Sequence, residues 1–371
     1  MENQRENQAR IRSDVRISST FLDSEWAEFA ASEAGSTPGH LIEWRDLIAR
    51  QFGYTPLYRV ATRDGRICGV LPAFEVKSLF LGRHMISVPF LNSGGICASD
   101  ESAEAALLSD AYAQVCRCKA RHMEMRCSSA PPECVPARQH KVRIVLDLPK
   151  NPDELWNSLR GEIRNRTRRA QNAGLKVEFA SAELEAFYAV FADNMRDLGV
   201  PAHPKQFFQA VLDTFGRQDV AASSQASCQA GRGSSELVVV KAGSEVIGGA
   251  ILFSFRDTIE VPWISCSRSH FELCPNNILY WEIMRRACEE GKSLFDFGRS
   301  SPHTGPATFK MRWGARVEQL HWWYVLPENA QMPAETGVSN PRFQRASALW
   351  TRAPRVVTSY LGPKLIRHLP G

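Results

Sequence analysis

Several familiar kinds of chemistry are missing from this chain. Its ten cysteines include no C-x-x-C pair, and the close pair Cys116 and Cys118 has no His or Cys beside it at zinc-ligand spacing. A zinc module or a disulfide scaffold is therefore not expected, and the thiols read as reduced and mostly buried. The histidines form no H-x-H, H-x-x-H or H-E-x-x-H pattern, so no metal site is expected either. No Ser-His-Asp or Cys-His arrangement suggests a covalent intermediate. Nowhere do about 18 apolar residues run together, and the opening MENQRENQARIRSDVRISST has no apolar segment of the signal-peptide kind. The chain is expected in the cytoplasm.

What is present fits a folded, two-domain protein. At 371 residues, 44% of them hydrophobic, the chain can bury a large core and is long enough for two domains. A net charge of +5 suits phosphate-bearing substrates but is too weak to mark a dedicated nucleic-acid binder. Two stretches resemble each other: VATRDGRICGVLPAF near residue 60 and VVKAGSEVIGGAILF near 239. Each is an apolar strand, a polar turn (Asp64-Gly65, Gly243-Ser244) and a second apolar strand with a glycine, Gly69 or Gly248, at the same offset.

One such hairpin means little, but two set half a chain apart suggest duplicated domains. A helical pattern precedes each hairpin, HLIEWRDLIARQFG and HPKQFFQAVLDTFGRQ, and strand-like runs follow. The expectation is an α/β (mixed α+β) fold in which each domain is a mixed, mostly antiparallel sheet flanked by helices. A flexible segment is expected over 1–16, domains over 17–145 and 146–328, and a basic tail over 329–371. The strand KVRIVLDLP marks the boundary, with Pro149 and Pro152 ahead of a helix opened by Asp153. AASSQASCQAGRGSS, low in complexity and almost uncharged, reads as a mobile surface loop.

The chemistry-bearing stretches lie in the second domain. The helix NPDELWNSLRGEIRNRTRRAQNAG sets Arg160, Arg164 and Arg168 along one face, either a solvated surface or a grip for phosphate. CPNNILYWEIMRRACEEG places Asn276 where a helix opens after a strand, as a structural cap or a weak anion site, in a position without a glycine-rich pyrophosphate loop. In FDFGRSSPHTGPATFKMRWGAR, Asp296 points away from the buried Phe295 and Phe297. It reads as a base, a partner of Arg299 or a turn-capping group. Lys310, between Phe309 and Trp313, is either a surface charge in a cation–π contact or an ammonium placed to stabilise an oxyanion in a partly dry cleft.

The two hairpins, IRNRTRRAQNAGL, PNNILYWEIMRRACEEGKSLFDFGRSS and TFKMRWGA together resemble the FemAB-like family. The resemblance spans about residues 17 to 328 and is nearest to members associated with exosortase (PEP-CTERM) and exopolysaccharide loci. It implies two tandem GNAT-like domains, the acyl-CoA N-acyltransferase fold, and transfer of an aminoacyl or acyl group to an amine of a peptidoglycan or exopolysaccharide precursor. The family's Phe-Lys pair maps onto Phe309 and Lys310 as catalytic residues, with lysine stabilising transition-state charge. Arg299, Trp313, Asp296, Trp263, Asn276, Arg164 and Arg168 are then expected to bind substrate. So are Asn92, Ser93, Gly94 and Gly95 of FLNSGGICAS, which match the family's glycine-containing stretch near the acceptor cleft.

No resident cofactor is expected. The donor implied is aminoacyl-tRNA, although no long helical arm interrupts the second domain as it does in some family members; acyl-CoA is the alternative donor, and a non-catalytic binding subunit is the alternative role. The partners implied are a lipid- or nucleotide-linked envelope precursor and tRNA. An anionic membrane is a further partner, read from the tail itself: beyond Glu335 there is no acid, while Arg342, Arg345, Arg352, Arg355, Lys364 and Arg367 alternate with apolar residues.

Overall fold

The computed structural model describes residues 15–217, 231–333 and 341–369, the side chains of 341–343 apart. The expected flexible N-terminal segment lies mostly outside these residues, as does most of AASSQASCQAGRGSS, whose last two serines open a strand.

Both hairpins form. Strands Arg59–Arg63 and Arg66–Leu71 pair around Asp64 and Gly65, and Ser234–Ala242 and Glu245–Phe255 pair around Gly243; all three turn residues have positive φ. Tight hairpin turns need that left-handed backbone, which Gly and Asp adopt most readily. The likeness goes beyond the turns. Each hairpin shifts register at the same offset, between Ala61 and Thr62 and between Val240 and Lys241. The repeated glycines answer to close packing, since a Cβ on Gly248 would lie 2.4 Å from Cys266 Sγ and one on Gly69 would lie 2.9 Å from the Leu107 side chain.

The second half is one seven-stranded sheet in the order Lys176–Glu178, Ser234–Ala242, Glu245–Phe255, Thr258–Cys266, Leu294–Ser300, Val142–Asp147, Arg316–Gln319. Thr258–Cys266 and Leu294–Ser300 run parallel and the other neighbours antiparallel. In the first half, Pro72 interrupts the run after Leu71 and the strands divide into a four-stranded and a six-stranded sheet. The six-stranded sheet also holds one parallel pair, Gly82–Ser87 with Met123–Cys127.

The halves exchange strands. Val142–Asp147, which follows the first half in the chain, fills the place beside Leu294–Ser300 in the second sheet. His321–Val325, which follows the second half, fills the matching place beside Met123–Cys127 in the first. The expected boundary between 145 and 146 thus falls within a strand of the second sheet. The run VEQLHWWYVL is not one strand but two in different sheets, broken at Leu320.

NPDELWNSLRGEIRNRTRRAQNAG is likewise two helices, Pro152–Ser158 and Gly161–Asn172. The first is capped by Asn151, whose side chain accepts from the Asp153 N–H, so Asp153 lies in the first turn rather than at the cap. The tail forms helices Pro341–Arg352 and Arg355–Ile366. Among the described residues, no helix is long and apolar enough to cross a membrane.

One apolar core joins the halves. The helices that precede the two hairpins, Glu43–Phe52 and Lys205–Phe215, pack against each other, with Trp44 against Phe215 at 4.7 Å and Phe52 against Phe207 at 5.3 Å between ring centroids. Trp44, fully buried, also touches Phe253 of the second hairpin. Trp44→Ala should lower stability by about 3–5 kcal/mol. Chemical denaturation should show the two halves still unfolding in a single transition; two separated transitions would contradict a shared core.

Candidate active site

The parallel pair in the second half decides where a site can form. Its register runs Thr258 with Leu294, Ile259 with Phe295 and Glu260 with Asp296, and there it ends. Beyond that rung the strands part, and a cavity of about 240 Å³ lies between Val261–Ile264 and Phe297–Arg299. Phe90 and Asn92 of the first half, Phe191 and Met195 of helix Leu184–Asp197, and His203 close it, and Lys310 reaches it from helix Gly305–Met311. The glycine- and proline-rich stretch GRSSPHTGPAT gives way to this helix at Gly305, where Pro306 suits the first turn.

Gly298 sits at the parting point with φ +75, and a Cβ there would come 3.2 Å from the Val261 carbonyl and 3.5 Å from the Asn92 amide nitrogen. A side chain would crowd the Val261 carbonyl and strain the left-handed backbone.

Charges gather at the last rung. Asp296 is buried, accepts from the Gly298 N–H at 2.7 Å and pairs with Arg143 on the exchanged strand. Its neighbour Glu260, half-buried, accepts from the side-chain amide of Asn92, a bond that crosses between the halves. Burial and the Asp296 charge push Glu260 up to about 7. Burial also raises Asp296, but Arg143 and the Gly298 N–H favour its charged form, so near neutrality the pair's proton belongs on Glu260.

Lys310 Nζ donates to the carbonyls of Arg299 at 3.2 Å and Gly298 at 3.4 Å. Burial pulls this ammonium down to about 8, against the opposing pull of Asp296 and Glu260. At neutral pH it remains mostly a cation in the cavity wall.

Arg299 enters the cavity beside Lys310. Its Nη1 is buried without a hydrogen-bond partner, and its guanidinium lies 5.5 Å from the centre of the Trp322 ring. Burial and then Arg126 lower it to about 9, which leaves it charged at neutral pH. Arg126, fully buried, lies over the same ring at 4.6 Å and donates to the Leu91 carbonyl at 2.7 Å. Both nitrogens of His203 are also buried without partners, and burial holds the ring neutral.

Of the residues singled out in the sequence, Lys310, Arg299, Asn92 and Trp263 meet at this cavity, with Asp296 just behind it. Phe309 and Trp313 do not wall it: Trp313 is 1% exposed and packs with Phe309, Tyr280 and Phe297 in the layer beneath.

In FLNSGGICAS the backbone after Asn92 is taken up by the protein itself. The Gly94 N–H donates to the Arg126 carbonyl, His40 Nε2 donates to the Gly95 carbonyl, and a Cβ on Gly95 would lie 2.2 Å from Cys127 Sγ. The Ser93 carbonyl lies against Gly39, where a Cβ would come within 2.1 Å of it, so Ser93, Gly94 and Gly95 have their backbone packed against the protein rather than forming an open cradle. Asn276 opens helix Pro275–Glu289 away from the cavity lining. Arg164 donates to the Asn157 carbonyl and Arg168 lies over Trp156, also outside it.

Glu260, Arg126 and His203 escaped the sequence reading. The available signal was a lone carboxylate in the apolar run TIEVPWISC and a lone arginine in MEMRCSS.

Comparisons with known proteins agree with this architecture. Residues 157–311 match the family model of an acetyltransferase (GNAT) domain. No curated protein matches the sequence. The fold is similar to that of FemX, at 16% identity and a TM-score of 0.62, over 84% of this chain and 97% of that one. It is also similar to the C-terminal domain of a proposed lysylphosphatidylglycerol synthetase from Agrobacterium fabrum, at 11% identity and 0.53, over 83% and 94%. A tandem GNAT protein from the clavulanic acid biosynthesis pathway matches at 10% identity and 0.50, over 84% and 97%. The chain has a mixed α/β fold of two tandem GNAT-like halves, with an acetyltransferase-type domain in the second.

Proposed function

We propose that the protein is an N-acyltransferase of the FemAB-like kind, moving an aminoacyl or acyl group onto the amine of a peptidoglycan or exopolysaccharide precursor carried on lipid or nucleotide. The observation that carries this reading is the Lys310 ammonium, fixed by two backbone carbonyls in the wall of a cavity between the halves. An ammonium held in a partly dry site stabilises a developing oxyanion far more than one in water.

The acceptor arrives as an ammonium ion and must lose a proton before it attacks. Glu260, raised toward neutrality beside Asp296, takes that proton. The amine nitrogen then bonds to the acyl carbon, and the carbonyl π electrons move onto oxygen, where Lys310 meets them. Collapse of the tetrahedral intermediate restores the carbonyl and breaks the bond to the donor's oxygen or sulfur, which leaves as alcohol or thiol with the second proton, shed by the attacking nitrogen. Phe90, Phe191 and Trp263 exclude water from the acyl group. The unpartnered Nη1 of Arg299 suits a phosphate or carboxylate of donor or acceptor.

We assign the donor as aminoacyl-tRNA, because a 3₁₀ turn, Arg268–Leu273, and Pro275 stand where a CoA-binding protein carries a glycine-rich loop.

Purified protein incubated with a mixture of charged tRNAs, or with a panel of acyl-CoAs, should bind the former saturably and transfer from it. Lys310→Ala should cut transfer about 10²–10³-fold. Binding of CoA alone would reassign the donor, and binding of neither would remove the enzymatic reading.

The kcat/KM profile should be bell-shaped. It should rise through about 7 as Glu260 loses its proton and fall above about 8 as Lys310 loses its own. Glu260→Gln should abolish the acid limb and Lys310→Arg the alkaline one; limbs that persist in both variants would show that other groups titrate. Arg299→Gln should raise KM about 10–100-fold with a smaller change in kcat, the loss expected of a charge-assisted contact to a bound anion.

A further inference from the structure

The surface formed by the tail carries an unusual concentration of exposed apolar side chains. Of the twelve large hydrophobic residues most exposed among the described ones, nine belong to the two tail helices or to the two turns packed against them. On helix Arg355–Ile366 the inward face is Thr358, Gly362 and Ile366, all buried. The opposite face presents Val356 at 82% exposure, Tyr360 at 66%, Val357 and Leu361. A helix on a water-facing surface normally puts polar groups there.

The neighbouring helix adds Leu349, 72% exposed, in a stripe with Arg345 and Arg352. Two turns from elsewhere in the chain extend the patch. Leu198 and Val200 flank Gly199, which lies against Ser347. Leu79 and Phe80, 79% and 59% exposed, form the tip of the hairpin from Ala73–Ser78 to Gly82–Ser87. That tip is tied to the end of the tail, with Ser78 Oγ donating to the His368 carbonyl at 2.8 Å and the Phe80 ring edge-on to His368.

Unpaired charge on this face is mostly positive, the nearby Asp193 and Asp197 being engaged by Arg355 and Arg196. No acid follows Glu335, and Arg345, Arg352, Lys364 and Arg367 have no carboxylate partner, whereas Arg355 pairs with Asp193 at 2.7 Å. Apolar side chains standing out among cations match an anionic lipid surface, which offers hydrocarbon for the former and phosphate for the latter. A soluble acidic partner would match the charge and leave Leu79, Phe80 and Val356 unexplained.

We infer that the two tail helices and the Leu79–Phe80 hairpin tip form a single docking face for an anionic lipid bilayer, in which the hairpin tip and Val356, Tyr360 and Leu361 enter the interface while Arg352, Lys364 and Arg367 meet headgroup phosphates. The inference stands on this surface alone and does not depend on the acyl-transfer reading.

The full chain is to be sedimented with vesicles of phosphatidylcholine, with and without phosphatidylglycerol, at low and high salt. Binding should require phosphatidylglycerol and weaken with salt. Arg352→Gln combined with Lys364→Gln should weaken it on the order of fivefold per cation removed. Leu79→Ser combined with Phe80→Ser should weaken it about tenfold at unchanged charge and an unchanged unfolding midpoint.

Equal binding to both vesicle types, no binding, or binding that ignores both pairs of substitutions would overturn the inference. So would a concentration-dependent dimer, seen by sedimentation velocity in wild type and absent from the hairpin variant, since the face would then belong to a second copy of the chain.

Discussion

Everything at the candidate site depends on where two parallel strands stop pairing. After the Glu260–Asp296 rung, Thr258–Cys266 and Leu294–Ser300 diverge, and the backbone groups that would have continued the ladder instead border a cavity. Gly298 turns the second strand at positive φ, which brings the carbonyls of Gly298 and Arg299 within reach of the Lys310 ammonium. The opening of the sheet and the placing of the cation are thus one event in the backbone, and the aromatic layer of Tyr280, Phe297, Phe309 and Trp313 holds that backbone from beneath.

The charges around this opening are costly, and each is met differently. Asp296 is met by a cation and an N–H, Glu260 by an amide from the other half, and Arg126 by backbone oxygen and the face of Trp322. Arg299 and His203 keep buried nitrogens with no protein partner. Unmet buried polar groups lower stability and are retained where they do something else, which is why they point to ligand chemistry rather than to folding. The site also takes its parts from both halves and from both exchanged strands: Phe90, Asn92 and Arg126 come from the first half, Arg143 and Trp322 from the exchanged strands, and the rest from the second half.

Much of the fold was legible in the sequence. The duplicated hairpins, their turns and their close-packed glycines could be read because each is a local pattern with a local cause. The strand exchange could not, since KVRIVLDLP and VEQLHWWYVL are good strands in either sheet and nothing local says which neighbour they find. At the site, Lys310, Arg299, Asn92 and Trp263 were picked out by residue type and resemblance. Glu260 was missed because its importance lies in being level with Asp296 on a neighbouring strand 36 residues away, a relation of register that periodicity does not carry. Phe309 and Trp313 were misplaced because aromatic residues beside a site residue can wall a cavity or floor it, and the helix Gly305–Met311, unforeseen in a glycine- and proline-rich stretch, set Phe309 against the buried Trp313 beneath the cavity.

The exchanged strands also fix the order in which the molecule can be completed. Met123–Cys127 waits for its partner until His321–Val325 has been synthesised, so during translation the first half stands with an open, apolar sheet edge while nearly all of the second half is made. Long-range pairings of this kind slow folding and lengthen exposure to wrong partners. The nascent first half should therefore need a chaperone or a slow hold on the ribosome, and a chain ending just after Gln319, with the second sheet complete and His321–Val325 missing, should fail in the first half rather than in the second.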